Sequence, residues 1–391
     1  MQARTNPKLD AELVIIGGGL AGLSLAAALV RTGYQGRAWI LEPRTEYGDD
    51  RSWAFWIRDA QPQLECVEQC WSQWQIGAAG EAAHTRAAPG WHYCYVRSEG
   101  FYSEARRQIE KSSNITLSLG QTAGSVHTEG NALRVETDQG PILAAQVVDT
   151  RPPSAQQRAG ATLFQVFAGR ELASDYDCFD PHSAELMTDL RCDLDGLVFS
   201  YVLPLTRRRA LVEVTRFATR PLLRSVLESD LDRLIAIRGW GTAVALRQEY
   251  AVLPMGLPDA AKLPAGAVRA GVGGGALRAA SGYGFLRIRR WAELCAASLT
   301  GGRAALGHPP EPRLRRWMDA LFLQVLRREP ERAPELFLRL ARGVSGATFV
   351  RFMSDCASLS DYARVIASLP PSPFLRALIA GSRLANKRAH R

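Results

Sequence analysis

Lysine is scarce in this 391-residue chain. Nearly all of its 48 basic residues are arginine, and nowhere do they crowd into the dense run of a nucleic-acid-binding arm. No nucleic-acid motif accompanies them, so the net charge of +9 points instead to an anionic cofactor or a membrane surface. The six histidines are scattered, and the seven cysteines, at 66, 70, 94, 178, 192, 295 and 356, follow no metal-ligand spacing. No metal site is therefore expected. Cys66 and Cys70 lie four apart with no second pair behind them. With an odd total, the cysteines read as reduced thiols of a cytosolic protein.

Long apolar runs are missing too, with one exception. Residues 13–30, LVIIGGGLAGLSLAAALV, carry no charge and follow Arg4 and Lys8, a pattern open to reading as a signal peptide or a membrane span. The glycines argue for another reading. A β-branched run stops at a glycine cluster, and the helical stretch after it closes at Gly33. The rest, with 47% hydrophobic and 22% charged residues, is ordinary globular composition, enough for about two domains.

Gly17, Gly19 and Gly22 form G-x-G-x-x-G at that strand-to-helix turn. The first glycine permits the turn, the second lets a pyrophosphate approach the backbone, and the third allows close helix–strand packing. With Leu20 and Ala21 they form the start of a helix whose N–H groups suit phosphate. A second strand, RAWILEP, ends at Glu42, placed to accept hydrogen bonds from ribose hydroxyls. A bound dinucleotide is expected. The order of the segments after Glu42 favours FAD over NAD. A loop rich in charge and Trp precedes a strand and an Arg-bearing helix at 92–109. A hairpin and strand then end at Asp149, and residues 268–299 read as strand, Gly-rich loop and helix. Two such glycine-rich units fit one FAD held by a discontinuous domain.

The fold class expected is α/β: a discontinuous Rossmann-like FAD-binding domain, an inserted antiparallel-sheet substrate domain and a helical C-terminal region. The FAD-binding parts are placed at 11–90, 91–155 and 266–305, the substrate domain at 156–265 and the helical region at 306–391.

One strand carries an acid at its centre. In ALVEVTRF, residues 210–217, Glu213 shares a face with Leu211 and Thr215, while Val212, Val214 and Arg216 point the other way. An isolated strand Glu would ordinarily face water or pair with one of the nearby arginines.

Several motifs together resemble one family. DDRSWAFW (49–56), VRSEGFY (96–102), VVDTRPP (147–153), FSYVLPLTRRRALVEVTRF (199–217), EYAVLPM (249–255) and GGGALRAASGYGF (273–285) occur in the same order as in bacterial lycopene β-cyclases. The likeness spans roughly residues 11–300. It implies a flavoprotein with no net redox chemistry. Reduced FAD is required, with NADPH as electron source, and the ψ-ends of linear lycopene close to β-ionone rings, giving γ-carotene or β-carotene. The family's essential acid falls on Glu213. A carboxyl among Leu, Val and Phe side chains should hold its proton near neutral pH, deliver it to an alkene and then face the cation as an anion. The chain departs from some members at Val214, where they carry a second acid, and in lacking a proline before Gly282 and Tyr283.

Other residues have two readings. Arg51 and Arg97 are either surface ion-pair partners or FAD-phosphate ligands. Asp50 either caps a loop or lies near flavin and substrate. Trp53, Phe55 and Trp56 are core or tunnel lining, where aromatic faces stabilise cations. Gly274, Gly282 and Tyr283 are expected beside the flavin, and Glu249 is a candidate second acid. Residues 311–391 read as helical. Leu314, Trp317, Met318, Leu321, Phe322 and Val325 recur at helical spacing near Arg313, Arg315 and Arg316, and the stripe either packs on the substrate domain or rests on anionic lipid. Pro-rich 369–373 reads as a hinge, followed by a basic tail. The protein is expected in the cytoplasm, at the inner face of the cell membrane. The rival functions are a flavin monooxygenase or dehydrogenase acting on an apolar isoprenoid, and a non-catalytic carotenoid-binding protein.

Overall fold

In the computed structural model, which describes residues 8–59 and 64–389 (side chains through 380), the uncharged opening stretch divides at its glycines. Strand β1 (Ala11–Ile16) leads into helix α1 (Leu20–Thr32), which Gly33 ends in the left-handed conformation at φ 71°. The span or leader reading thus gives way to a strand and a helix; Arg4 lies outside the described residues. Next come β2 (Ala38–Glu42), β3 (Ser52–Arg58), β4 (Val67–Trp71), β5 (Gln73–Ala78), β6 (His84–Ala87) and β7 (Trp91–Arg97). Helix α2 (Ser98–Ile109) precedes β8 (Ile115–Leu119), β9 (Ala123–Glu129), β10 (Ala132–Thr137) and β11 (Ile142–Asp149). After the short α3 (Ala155–Ala159) run β12 (Leu163–Ala173), β13 (Ser183–Asp193), β14 (Gly196–Pro204), β15 (Arg209–Ala218), α4 (Arg224–Ile237), β16 (Val244–Met255) and β17 (Ala267–Arg269). The remainder is helical: α5 (Phe285–Thr300), α6 (Arg313–Arg328), α7 (Ala333–Gly343), α8 (Gly346–Met353), α9 (Leu359–Ser368) and α10 (Pro371–Ala389).

The first sheet runs β8-β2-β1-β11-β10-β9, with β17 also beside β11. Its centre is parallel and buried on both faces, which is why β1 is uninterrupted in apolar residues from Leu13 to Ile16. Leu13 and Ile15 pack with α1 and α5, while Val14 and Ile16 pack with Leu133 and Val147 on the opposite face. The α/β class and its FAD-domain-like sheet follow the sequence reading.

The second sheet runs β16-β12-β15-β14-β13-β5-β6 and is antiparallel except where β5 meets β13. One face lies on α4, where Val212 and Val214 meet Leu227 and Leu231. The other faces the C-terminal helices, where Leu211 and Phe217 share a core with Leu323 and Leu336. Arg216, on the α4 face, is buried because Asp230 and Asp193 take its guanidinium at 2.7 and 2.8 Å. β5 and β6 fall within the 11–90 segment assigned from sequence to the FAD-binding part. Their pairing puts them in this second sheet instead, because a strand joins whichever edge its apolar face can cover.

The third sheet, β3-β7-β4, is inserted between β2 and β8 of the first sheet, with β5 and β6 of the second between its own β4 and β7. It corrects the expectation for the cysteines: Cys70 stands directly opposite Cys94 across β4 and β7, and the two form a disulfide. Sequence spacing could not show a pairing set by cross-strand register. Cys66 is a free thiol. Helices α9 and α10 meet at Leu369 and Pro370, where the proline-rich hinge was placed. The basic tail beyond residue 380 lies outside the described side chains.

Candidate active site

The glycine turn is built for close approach. Gly17 has φ 98° and its N–H donates to Leu41 O at 2.8 Å, tying β1 to β2. A Cβ on Gly22 would stand 1.9 Å from Gly17 O, so α1 rests on the turn with no room for a side chain. At Gly19 a Cβ would meet nothing within 4 Å, so backbone there borders open space. Helix α1 has no side-chain cap and no acid in its first turn, which leaves its N-terminal N–H groups for an anion. Glu42 accepts the Gly18 N–H at 2.7 Å and the Arg44 Nε at 2.8 Å. Burial pushes its carboxyl up, but Arg44 and the backbone N–H groups outweigh that and hold it below the usual carboxylate range. An ionised acceptor therefore stands at the end of β2.

The second glycine-rich loop abuts the first. A Cβ on Gly271 would lie 3.2 Å from the Cβ of Ala21, and one on Gly274 would stand 2.7 Å from the Arg269 backbone. Helix α5 begins after Gly284, again without a side-chain cap. Two uncapped helix starts, an open glycine backbone and an ionised Glu42 fit a dinucleotide with a pyrophosphate at its middle.

Beyond this cradle lies an apolar cavity of about 440 Å³. Trp53, Tyr201, Glu213, Gly282 and Tyr283 line its inner part, and it runs between the second sheet and the C-terminal helices to Trp317, Ile366 and Leu378. The loop carrying Gly282 and Tyr283 therefore serves as its wall. Tyr93, also on the wall, bonds hydroxyl to hydroxyl with Tyr201 at 2.8 Å and with Tyr283 at 3.3 Å. Burial raises all three phenols, so each is a neutral ring facing the cavity.

Glu213 is 7% exposed. Neither ordinary fate of a strand Glu applies: it does not face water, and among the described residues it makes no ion pair. Its carboxyl hydrogen-bonds to that of Glu249. Burial pushes its pKa well up, the negative charge and hydrogen bond of Glu249 push it further, and Arg247 opposes them. Glu213 is thus a protonated acid set into a greasy wall.

The other residues singled out from sequence divide. Trp53 lines the cavity. Phe55 does not; it stacks on Phe285 with ring centroids 4.7 Å apart. Trp56 packs on Trp74 and Tyr93 at 4.4 and 4.6 Å, one layer outside the lining. Strand alternation sends 55 and 56 to two different cores, so tunnel lining is corrected for both. Asp50 is likewise off the cavity. It takes the guanidinium of Arg51 at 2.6 Å and the Tyr102 hydroxyl at 3.3 Å, near Arg44 on the nucleotide side. Arg97 is engaged by Asp49, its Nε at 2.9 Å. The reading from sequence missed Ser52, Tyr93, Gly169, Tyr201 and Arg247. Each is an unremarked residue on a different strand, and only register assembles them.

The model of the family described as lycopene cyclase protein matches residues 12–379. A lycopene β-cyclase of Pseudescherichia vulneris is 25% identical, with 93% of this chain and 95% of that one aligned. One from Pantoea ananas is 23% identical over 94% and 97%. Among solved structures, a geranylgeranyl bacteriochlorophyll reductase-like protein from Thermoplasma acidophilum matches with a TM-score of 0.63 at 13% identity, over 94% of this chain and 98% of that one. A probable FAD-dependent monooxygenase from Pseudomonas aeruginosa matches at 0.53 and 14%, over 91% and 99%. At such identity the structural likeness is one of fold.

Proposed function

The chain belongs to the lycopene cyclase family, and from that premise we propose that it is a lycopene β-cyclase, an isomerase that closes the linear ψ-ends of lycopene to β-ionone rings. The observation that carries the chemistry is Glu213, a protonated carboxyl in the wall of a long apolar cavity. A polyene threads such a cavity by burial of hydrocarbon alone. Glu213 gives its proton to the terminal double bond. The resulting cation is attacked by the neighbouring double bond, the six-membered ring closes, and a proton leaves the ring. One proton enters and one departs, so the product is an isomer. The Glu213 carboxylate, the Trp53 face and the three tyrosine rings surround the positive charge where water is excluded.

Gly17, Gly19, Leu20, Ala21, Gly22 and Glu42 would hold FAD at its nucleotide end, with the loop of Gly274, Gly282 and Tyr283 at the other. When bound and reduced, with NADPH as electron source, FAD would supply an electron-rich ring that favours positive charge beside it.

Lycopene must come from a bilayer. Among the described residues no helix is long and apolar enough to cross a membrane. Peripheral contact is supported at the cavity's far end, where exposed Trp317, Leu375 and Leu378 line the opening and exposed Arg313 and Arg316 flank Trp317 on α6.

Expression in cells that accumulate lycopene, with Glu213→Gln alongside, tests the reading. Cyclic carotenes from the parent chain and unchanged lycopene from the variant, with FAD retained in both, are expected. Unchanged lycopene from the parent would end the proposal. Oxygenated products with flavin-dependent oxygen consumption would favour a monooxygenase.

A further inference from the structure

Gly169 lies in β12 between two acids. The register sets it opposite Glu213 of β15 on one side and Glu249 of β16 on the other, and residues so paired share a face. The two outer strands are roughly 10 Å apart, two strand spacings. Any side chain at 169 would stand in the gap: a Cβ there would be 2.7 Å from Glu213 Cγ and 3.0 Å from its Oε1. With hydrogen alone at that position, Glu213 leans across and its carboxyl meets that of Glu249.

Ionised carboxylates only accept hydrogen bonds, so a bond between two carboxyls needs a proton on one of them. The surroundings decide which. Glu249 receives Arg247 Nη1 at 3.1 Å, and the Ser52 hydroxyl donates to it at 2.9 Å. The same guanidinium also serves Tyr95 at 2.8 Å, Asp49 at 3.1 Å and Glu171 at 3.4 Å. The remaining titratable groups facing the pair, Tyr201 from β14 with Tyr93 and Tyr283 behind it, are neutral phenols. Glu249 takes both the Arg247 and the Ser52 donors, and among the described residues no cation forms an ion pair with Glu213.

We propose that Glu249 is the positioning residue for the acid: the two carboxyls share one proton across the gap at Gly169, with the charge on Glu249 and the proton on Glu213. The proposal rests on Glu213 being the donor in the cyclisation. When that proton leaves Glu213 Oε for the CH carbon of the terminal double bond, placing the positive charge on the dimethyl-bearing carbon, two anions are left side by side. A proton lost from the ring is then drawn back to the pair, and the site resets without solvent. Glu249 is absent from the cavity wall, so it acts through Glu213.

The test compares the parent enzyme with Glu213→Gln, Glu249→Gln and Gly169→Ala. The protonated-carboxyl C=O band is followed by infrared titration of purified protein, and kcat and KM for cyclisation are followed against pH. The parent band should persist well above the ordinary carboxyl range and vanish in Glu213→Gln. Removing the neighbouring negative charge makes Glu213 easier to ionise. In Glu249→Gln the infrared midpoint and the falling limb of kcat should therefore both move to lower pH, by about one unit or more, with KM little changed. Gly169→Ala, which wedges the pair apart without altering charge, should move both the same way and carries the test should Glu249→Gln fold poorly. An unmoved midpoint and limb in a folded variant would overturn the pairing. A shifted midpoint together with continued cyclisation by Glu213→Gln would leave the shared proton standing and overturn Glu213 as donor.

Discussion

Arg278 and Asp319 meet as a fork, Nε to Oδ2 and Nη2 to Oδ1, both at 3.2 Å with both side chains buried. Through this contact the loop leading into α5 is fastened to α6. Arg278 also lies over the Phe352 ring and donates to the Phe352 carbonyl. Asp319→Ala leaves a buried guanidinium with only the more distant Asp355, at 3.9 Å, as counter-charge and should cost about 3 kcal/mol in chemical denaturation. Flavin should also be lost from the purified variant, because Gly282 and Tyr283 lie on the loop so released.

The glycines of the first turn should separate steric from binding roles. Gly22→Ala sets a methyl 1.9 Å from a carbonyl oxygen and should lower both thermal stability and flavin content. Gly19→Ala meets no neighbour and needs no positive φ. It should leave the melting temperature within a degree or two and still reduce flavin content by tenfold or more, measured by absorbance, because its methyl occupies the approach to the backbone.

His308 predicts an acid-side loss. Its Nε2 accepts the Gly271 N–H at 2.9 Å, so the neutral ring is the bonded form. Burial, helped by Arg287, pushes its pKa down from 6.5 to about 4. The unfolded chain therefore takes up this proton first, and the stability that His308 contributes is lost as pH falls from 6.5 toward 4. Melting temperatures across that window should decline less steeply in His308→Gln than in the parent. Parallel slopes would count against the assignment.

The mouth of the cavity offers a readout apart from catalysis. Trp317 is 49% exposed and Leu378 40%, and each would bury apolar surface worth about 2 kcal/mol in a bilayer interface. Trp317→Glu or Leu378→Glu should each weaken co-sedimentation with anionic vesicles by roughly thirtyfold, with circular dichroism unchanged.

Legibility in the sequence followed locality. The turn at Gly17–Gly22, the acid ending β2, the return strand ending at Asp149 and the loop before α5 are each short, contiguous patterns, and they lie where the residues indicated. Strand alternation set the face of Glu213, and the cavity lies on that face, but alternation alone favoured a Glu in water or paired with arginine, and it was the family resemblance that singled the residue out. What could not be read was register between distant segments. The Cys70–Cys94 disulfide, the Tyr93–Tyr201 contact and the two acids beside Gly169 each join residues from separate strands, and nothing within either strand announces the other. Phe55 and Trp56 misled for a related reason: an aromatic-rich strand says how much it buries, not which of two cores receives each ring.

The placement of β5 beside β13 has a mechanical consequence. A stretch of chain that leaves the nucleotide-binding half early crosses over, hydrogen-bonds into the second sheet and returns through β7. The halves are stitched together, and swinging them apart like a clamshell would tear that parallel seam. The way into the cavity that leaves this seam whole is its opening among the C-terminal helices, beside Trp317 and Leu378.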